Sequence, residues 1–243
     1  YTSILLKPSL TEEQIAHFAV NQYNYPSFEV RPYFKRHYLY GEPLTPILGY
    51  VAKINDKDAE RLKQEEKEAN YAGTHDIGKL GIERYYEDQL HGTAGYEQVE
   101  INNRGKVIRK LSEQLPIAGK SIYLTIDLEL QRYISQLLTG QKGSVVVMDP
   151  KDSSILAMVS SPSYDNNLFV GGISSDNYRR LLNDPSRPLY NRTIQGAYPP
   201  ASTVKPFVAV SALTEGAVAP NTTIFDPGYW LSLIHISEPT RLL

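Results

Sequence analysis

The chain has 243 residues, no cysteine, 41% hydrophobic residues and a formal net charge of −2 from 25 basic and 27 acidic side chains. This composition supports a globular core of one or two domains and excludes disordered, collagen-like and coiled-coil classes. The lack of cysteine excludes a disulfide or a thiolate zinc site within these residues, and the lack of a dense basic cluster argues against a nucleic-acid partner.

Membrane and targeting signals are also missing from the sequence. No apolar run reaches the ~20 residues that a membrane-spanning helix needs, and no signal-like segment opens the chain. Because the chain begins at Tyr1 rather than at Met, we expect it to be a piece of a longer protein that carries an anchor or a targeting segment.

The first third of the chain predicts helices separated by irregular segments. A Ser9-x-x-Glu12 capping box begins a helix over residues 11–21. Residues 23–46 are aromatic and punctuated by proline, which favours short extended segments. Asn55 is expected to cap a charged surface helix over residues 56–69.

The next segment predicts a helix and then a hairpin. Residues 78–92 place apolar side chains on one helical face, between glycines that can take up positive φ at both ends. Residues 96–101 and 106–109, joined by the turn Asn103-Arg104-Gly105, predict the hairpin, and residues 116–120 predict a linker. This part is an α+β unit without an obvious reaction centre.

Denser apolar segments follow the linker. Residues 121–126 alternate as a strand, and Asp127 caps a helix that Gly140 ends. Strands over 145–148 and 155–159 flank the turn Asp149-Pro150-Lys151-Asp152. The apolar stripe expected on the helix comprises Leu130, Tyr133, Ile134, Leu137 and Leu138. The pattern predicts an α+β fold with a helix packed on an antiparallel sheet.

The residues that can carry chemistry are Ser202 and Lys205, which form an SxxK motif before a helix predicted over 208–215 and ended by Gly216. One helical turn separates them, so Oγ of Ser202 and Nζ of Lys205 can face each other at a helix start. Burial would favour neutral Lys205, which can accept the Ser202 proton, while helix-start N–H groups favour developing negative charge. The alternative is a capping Ser202 beside a surface Lys205, because SxxK is expected roughly once by chance in such a chain.

The surroundings of this motif resemble the elongation-type class B penicillin-binding proteins of Gram-negative bacteria. The catalytic-domain likeness is carried by Tyr198-Pro-Pro-Ala-Ser-Thr-Val-Lys-Pro206, Val147-Met-Asp-Pro150, Ser160-Ser-Pro-Ser-Tyr-Asp165 and Phe225-Asp-Pro-Gly228. Residues 78–95 and 99–105 resemble the non-catalytic pedestal, or dimerisation-type, domain of the same proteins. The likeness keeps one order from about Ser27 to Trp230.

This resemblance implies a pedestal over residues 1–117 and the N-terminal part of a transpeptidase domain over 118–230. Residues 231–243 look instead like a translated sequencing adapter, so we expect a non-native tail and give His235 no role. The chain is thus expected to be truncated at both ends.

The resemblance also implies an activity and a location. The parent would be a periplasmic D,D-transpeptidase, held in the bacterial inner membrane by one N-terminal helix, that cross-links peptidoglycan stem peptides without a cofactor. Ser202 would attack the penultimate D-Ala carbonyl with Lys205 as base, and β-lactams would acylate Ser202. Its implied partners are the stem peptides, a membrane glycan polymerase and the shape-determining scaffold of the elongation machinery.

Two other functions stay open. The chain could serve only as an interaction module, because the pedestal of this family is where membrane-proximal partners dock. A β-lactamase or β-lactam sensor also uses SxxK, but such proteins lack the pedestal unit of residues 78–95.

Departures from the family pattern limit what the chain itself can do. No SxN or KTG motif follows Lys205, so we expect almost no activity. The tripeptide Ser175-Asp176-Asn177 precedes Ser202 and is read as a loop, and Lys79-Leu80-Gly81 is no KTG. The resemblance implies Asp226 as the first ligand of a zinc site completed by a later Asp, His and Cys. Those later ligands are absent, so a turn or capping role is favoured for Asp226 here.

Overall fold

The computed structural model describes residues 6–7, 9–103, 107–223 and 225–228. The chain divides into two compact units, Tyr1–Gly196 and Ala197–Leu243. The helices are α1 Glu12–Asn21, α2 Thr45–Leu48, α3 Asp56–Gln64, α4 Glu68–Tyr71, α5 Gly81–Tyr85, α6 Glu87–His91, α7 Leu128–Leu137, α8 Ser175–Asn183, α9 Arg192–Gln195 and α10 Lys205–Thr214. The strands are β1 Val51–Lys53, β2 Asp76–Gly78, β3 Tyr96–Ile101, β4 Val107–Gln114, β5 Gly143–Met148 and β6 Ile155–Ser161.

Helix α1 forms where the sequence predicts it, but a different residue caps it. Thr11 Oγ1 accepts the Gln14 N–H at 3.2 Å, and Gln14 Oε1 accepts the Thr11 N–H at 3.2 Å. The predicted Ser9-x-x-Glu12 box is therefore wrong: Ser9 has a φ of 56° and lies outside the capping geometry. The extended segments predicted over 23–46 are also wrong in part, because 3₁₀ turns at Gln22–Asn24 and Glu42–Leu44 and helix α2 occupy this stretch.

The charged helix over 56–69 is shorter than predicted. Asn55 caps α3 as expected, with reciprocal bonds to Asp58 of 2.9 and 3.0 Å. The helix then stops at Gln64, and α4 begins at Glu68.

Residues 78–92 also differ from the prediction of a single helix. They contain the end of β2 followed by two short helices, α5 and α6. Gly92 has a φ of 74° and Gly81 a φ of 60°, whereas Gly78 lies in a strand. Gly81 is needed where it stands, since a Cβ there would lie 2.5 Å from the Ile47 carbonyl oxygen.

The strands pair as antiparallel hairpins: β1 with β2, β3 with β4, and β5 with β6. The predicted β3–β4 hairpin is confirmed, although part of its turn, residues 104–106, lies outside the described residues. Residues 116–120 are not a free linker. Thr93 and Ile117 exchange two backbone bonds of 2.9 Å, and the Lys120 N–H donates to the Gln89 carbonyl at 2.7 Å.

Helix α7 packs on the β5–β6 sheet, as the sequence predicts. Their shared core comprises Ile134, Ala157 and Val159, with Leu130, Leu138, Val145 and Val147 packed around it. Two residues of the predicted apolar stripe, Tyr133 and Leu137, are more than half exposed, so their predicted burial is wrong. Gln131, which the predicted stripe does not include, is fully buried. The strand predicted over 121–126 does not form. This segment instead contacts β6 through a hydrogen bond from the Thr125 hydroxyl to the Ile155 carbonyl at 2.7 Å.

Amide side chains tie residues 38–49 to residues 131–191 within the first unit. Asn167 makes two 2.9 Å bonds to the backbone of Tyr38, one to its N–H and one to its carbonyl. Asn166 donates to the Gly49 carbonyl at 2.8 Å, and Asn191 donates to the Pro46 carbonyl at 2.8 Å. The predicted pedestal segment thus shares one packed junction with residues beyond 118, and the boundary near residue 117 stays a prediction.

An apolar cluster accompanies these amides. Tyr38, Val51 and Val170 pack together, and the Tyr38 hydroxyl oxygen accepts the Val51 N–H at 2.9 Å. Burial, reinforced by the nearby Glu83 carboxylate, raises the pKa of Tyr38, so its hydroxyl stays protonated. The Tyr50 ring stacks on Phe169 with a centroid separation of 4.0 Å.

Candidate functional site

Ser202 lies in a 3₁₀ turn, Ala201–Val204, that runs directly into α10 at Lys205. The Lys205 backbone N–H donates to the Ser202 carbonyl, so the two residues share one turn, as the SxxK spacing predicts. Ala201 takes a φ of 48°, a left-handed conformation that is unfavourable for alanine and occurs often in strained functional turns. The helix begins one turn later than the serine and ends before Gly216, whose φ is 67°.

The capping alternative does not describe this serine. The N-cap residue of α10 is Val204, and no side chain bonds to the helix start. The Thr203 hydroxyl, rather than that of Ser202, donates within the turn, to the Pro200 carbonyl. Within the described residues, the Ser202 Oγ makes no hydrogen bond to the backbone.

Both site residues are exposed, and no hydrogen bond links their side chains in the part of the chain that is described. The burial that would favour a neutral Lys205 is therefore not found among the described residues. None of the residues of α10 is buried, and its apolar side chains Phe207 and Val210 are 75% and 63% exposed.

The SDN tripeptide forms the start of α8, so its predicted placement in a loop is wrong. Ser174 caps this helix by accepting the Asn177 N–H at 3.2 Å. Asp176 pairs with Arg179 at 3.5 Å, and the Asn177 amide oxygen accepts from Arg180. The side chains of Asp176 and Asn177 are thus engaged with their own helix.

The Lys79-Leu80-Gly81 segment has a structural role, which consists of an ion pair and a helix start. The Lys79 ammonium pairs with Asp58, and Gly81 begins α5. Although burial favours the neutral acid, hydrogen bonds from Lys79 and Asn55 hold the pKa of Asp58 below its usual value.

Asp226 has the geometry of a turn residue. Its Oδ1 accepts the Gly228 N–H at 2.8 Å, and the side chain is exposed. Within the described ranges, no group of three or more His, Cys, Asp or Glu side chains could hold a metal ion. The residues present therefore do not fit a zinc site, because one carboxylate does not hold Zn²⁺.

The sequence reasoning missed the amides of the junction. Gln131 and Asn166 are both fully buried, yet neither belongs to an apolar stripe or to a catalytic motif. The only sequence signal for these amides was the pair Asn166-Asn167, which follows a predicted strand and the Ser-Pro turn. Amide side chains can replace backbone partners where a strand or loop has none.

Two family models match this sequence. The penicillin-binding protein dimerisation domain matches residues 1–124, and the penicillin-binding protein transpeptidase domain matches residues 143–235. The chain therefore belongs to the penicillin-binding proteins that join a dimerisation domain to a transpeptidase domain. This confirms the fold class and the family inferred from the sequence.

Individual proteins of this family are highly similar to the chain in sequence. The chain is 75% identical over 231 residues to the peptidoglycan D,D-transpeptidase MrdA of Haemophilus influenzae, and 64% identical over 230 residues to the protein of that name from Escherichia coli strain K12. Each match covers 95% of this chain but only 36% of the relative. The chain thus spans about a third of the length of these curated relatives.

Solved structures show the same fold. A complex between penicillin-binding protein 2 and MreC from Helicobacter pylori matches with a TM-score of 0.79 and 30% identity, covering 92% of this chain and 41% of that one. Penicillin-binding protein 2 of Pseudomonas aeruginosa in complex with WCK 5153 matches with a TM-score of 0.71 and 44% identity, covering 85% and 42%. Among the helices of the described ranges, none has the length and apolarity to cross a membrane.

Proposed function

We propose that this chain is the pedestal and the first part of the catalytic domain of a peptidoglycan D,D-transpeptidase that cross-links stem peptides during cell-wall elongation. The observation that carries the proposal is the Ser202-x-x-Lys205 turn at a helix start, inside the residues that match the transpeptidase family. The 75% identity to the Haemophilus influenzae D,D-transpeptidase over 231 residues supports the same reaction.

The chemistry follows from the two side chains. Ser202 Oγ attacks the carbonyl carbon of the penultimate D-Ala while Lys205 Nζ, in its neutral form, takes the hydroxyl proton. The tetrahedral intermediate collapses, the bond to the terminal D-Ala nitrogen breaks, and that amine leaves with a proton, so Ser202 holds an acyl ester. An amine of a neighbouring stem peptide attacks the ester and restores the serine. A β-lactam opens on Ser202 in the same way, and no cofactor enters any step.

Activity needs more than these two residues. The SxN and KTG motifs that the family uses are absent after Lys205 in this sequence. Losing a single oxyanion-hole donor typically costs about 10²–10³ in rate. Together with the exposed Lys205, this predicts that the 243-residue chain alone turns over very little substrate.

The location and the partners belong to the same proposal. The protein would act in the periplasm, attached to the inner membrane by an N-terminal helix, beside a membrane glycan polymerase and a shape-determining scaffold. The Helicobacter pylori complex with MreC supports a scaffold partner.

The match of residues 1–124 to the dimerisation family also favours the second candidate function, an interaction module that docks such partners.

A zinc site that uses Asp226 stays a prediction for a longer protein that supplies the remaining ligands.

A chimera tests the activity. Residues 1–230 would replace the matching region of the Haemophilus influenzae relative, which supplies the rest of the catalytic domain. We expect the chimera to release D-Ala from a D-Ala-D-Ala stem peptide, and we expect Ser202→Ala and Lys205→Ala to abolish the release. Ser175→Ala, which changes an exposed serine of α8, is the matched control. Release by the Ser202→Ala variant would refute the assignment.

A further inference from the structure

A half-buried histidine at the end of α6 joins three parts of the chain. Among the described histidines, only the ring of His91 makes hydrogen bonds. Its Nε2 lies 2.9 Å from the Oγ1 of Thr74, which belongs to the loop after α4. Its Nδ1 lies 3.2 Å from the Nδ2 of Asn70, which belongs to α4 itself. The ring therefore connects α4, the loop after it and α6.

Backbone groups fix the orientation of the Asn70 amide. Its Oδ1 accepts the Ala94 N–H at 2.6 Å, and its Nδ2 donates to the Gly92 carbonyl at 3.0 Å. Exchanging the amide oxygen and nitrogen would set two donors against each other at Ala94 and two acceptors at Gly92. The group that faces His91 Nδ1 is therefore an NH₂ donor, so Nδ1 is the unprotonated nitrogen of the ring. The proton of the neutral imidazole then lies on Nε2, which donates to Thr74 Oγ1.

The aromatic ring that covers the imidazole carries no charge. Tyr71 of α4 stacks on His91 with a centroid separation of 4.0 Å. Burial, reinforced by the Glu87 carboxylate, raises the pKa of Tyr71, so its hydroxyl stays protonated. Glu87 of α6 accepts this hydroxyl at 3.0 Å, so its carboxylate is engaged with Tyr71.

The remaining charged groups of these elements give the ring no counter-charge. Asp88 of α6 pairs with Lys67, the residue before α4, at 2.7 Å. Glu68 of α4 and His75 of the following loop are exposed, and residues 92–94 carry no charge. Among the described residues, no carboxylate forms an ion pair with the His91 ring. A second proton on this ring would therefore have no opposite charge beside it.

We propose that Asn70, Thr74 and His91 form a pH-sensitive latch that holds the start of β3 against α4 while the imidazole is neutral. A proton on Nδ1 would face the Asn70 NH₂ donor at 3.2 Å, so an attractive contact becomes a contact between two donors. The Gly92 carbonyl, 3.3 Å from Nδ1, already accepts from Asn70. Protonation therefore drives the amide away and releases the Ala94 N–H, two residues before β3. Imidazole changes its charge between about pH 5 and 8, so the latch opens on mild acidification.

The first measurement is the tautomer of His91 in the unmodified 243-residue chain. Long-range proton–nitrogen NMR identifies which ring nitrogen carries the proton. At about pH 7.5 we expect the proton on Nε2 and an unprotonated Nδ1. A proton on Nδ1 at this pH would overturn the proposal.

Hydrogen exchange of the Ala94 amide then reports whether the latch opens. We expect its protection, corrected for the intrinsic pH dependence of exchange, to fall about tenfold from about pH 7.5 to about pH 5.5, because the bond to Asn70 is lost. His17→Gln removes an exposed histidine of α1 and is the matched control, which should show the same fall.

Asn70→Asp distinguishes the latch from ordinary packing, because it reverses the expected sign. The carboxylate keeps an oxygen for the Ala94 N–H but presents an acceptor, in place of NH₂, to His91 Nδ1. It therefore favours the protonated ring, and Ala94 protection should rise on acidification. A fall in this variant equal to that of the unmodified chain would overturn the proposal. Constant protection in the unmodified chain, or loss of the pH dependence in His17→Gln, would do so as well. The latch is independent of the proposed transpeptidase activity of Ser202.

Discussion

Replacing Gln131 by leucine tests whether a buried amide, rather than an apolar contact, holds α7 in place. Gln131 Nε2 donates to the Pro43 carbonyl at 2.7 Å and to the Met158 carbonyl at 2.9 Å, and its Oε1 accepts the Met158 N–H at 2.7 Å. The two bonds to Met158 repeat the pattern of a neighbouring strand, so this side chain completes the open edge of β6. The third bond attaches the same helix to residues 42–44.

The expected loss follows from the groups left unpaired. Leucine has a similar volume but can neither donate nor accept, so two carbonyls and one N–H lose their partner. An unpaired buried polar group costs about 1–3 kcal/mol, and the three groups are only partly buried, which places the expected loss at about 3 kcal/mol. For a chain of this size that corresponds to a fall in melting temperature of at least about 6 °C.

Thermal unfolding followed by circular dichroism measures the effect. Gln136→Ala is the matched control, because Gln136 is exposed on the same helix and its change should cost less than about 0.5 kcal/mol. Equal melting temperatures for Gln131→Leu and the unmodified chain would refute the reasoning. A more stable leucine variant would show that apolar packing outweighs the three hydrogen bonds.

Three further outcomes are expected. Burial favours the neutral acid, but the ion pair with Lys79 holds the pKa of Asp58 below its usual value. The ion pair therefore stabilises the fold fully above the unfolded pKa of about 3.9. This stabilisation is lost as the pH falls through the lower pKa of the folded state. Asp58→Asn should therefore cost about 1 kcal/mol at neutral pH, allowing for solvent screening, and the difference in urea midpoint should vanish in acid; a constant difference would contradict this. Gly49→Ala should lower the free energy of unfolding by about 2 kcal/mol or more, because Gly49 has a φ of 70° and a Cβ would lie 2.0 Å from the Leu80 carbonyl oxygen. Gly140 has a similar φ of 76° but open space around it. Gly140→Ala should therefore lower the free energy of unfolding by only about 1 kcal/mol in the same urea assay. Finally, the 243-residue chain alone should release almost no D-Ala from a D-Ala-D-Ala peptide, and turnover comparable to an intact class B enzyme would show that SxN and KTG are dispensable.

Sequence periodicity predicted the elements that pack locally. The β3–β4 and β5–β6 hairpins and helix α7 form where alternation, turn residues and the Asp127 cap place them. These signals succeed because each depends on residues close together in the chain. The same reasoning chose the wrong buried residues on α7, since it favoured Tyr133 and Leu137 by their apolarity and ignored Gln131.

The junction between residues 38–49 and 131–191 could not be predicted in this way. Its bonds join residues as far apart as Asn191 and Pro46, and the accepting groups are backbone carbonyls that no side-chain pattern reveals. The Asn166-Asn167 pair is also indistinguishable from a surface turn until the opposite backbone is known. Long-range amide–backbone pairing is therefore the part of this fold that required the structure.

The local geometry of the candidate site was predicted from the sequence. The SxxK spacing gave Ser202 and Lys205 one shared turn at a helix start, as the structure shows. Burial of Lys205 depends on residues that cover α10, and no local pattern around the motif carries that information. The roles of Ser202 and Lys205 stay predictions until the nucleophile is identified chemically.

Peptide mapping after acylation gives that identification most directly. The chimera with the Haemophilus influenzae relative would be treated with benzylpenicillin, digested and analysed by mass spectrometry. We predict one adduct of the mass of the intact β-lactam, on Ser202, and none when Lys205 is replaced by alanine. An adduct on any other residue, or an unmodified Ser202 in a chimera that still releases D-Ala, would contradict the account.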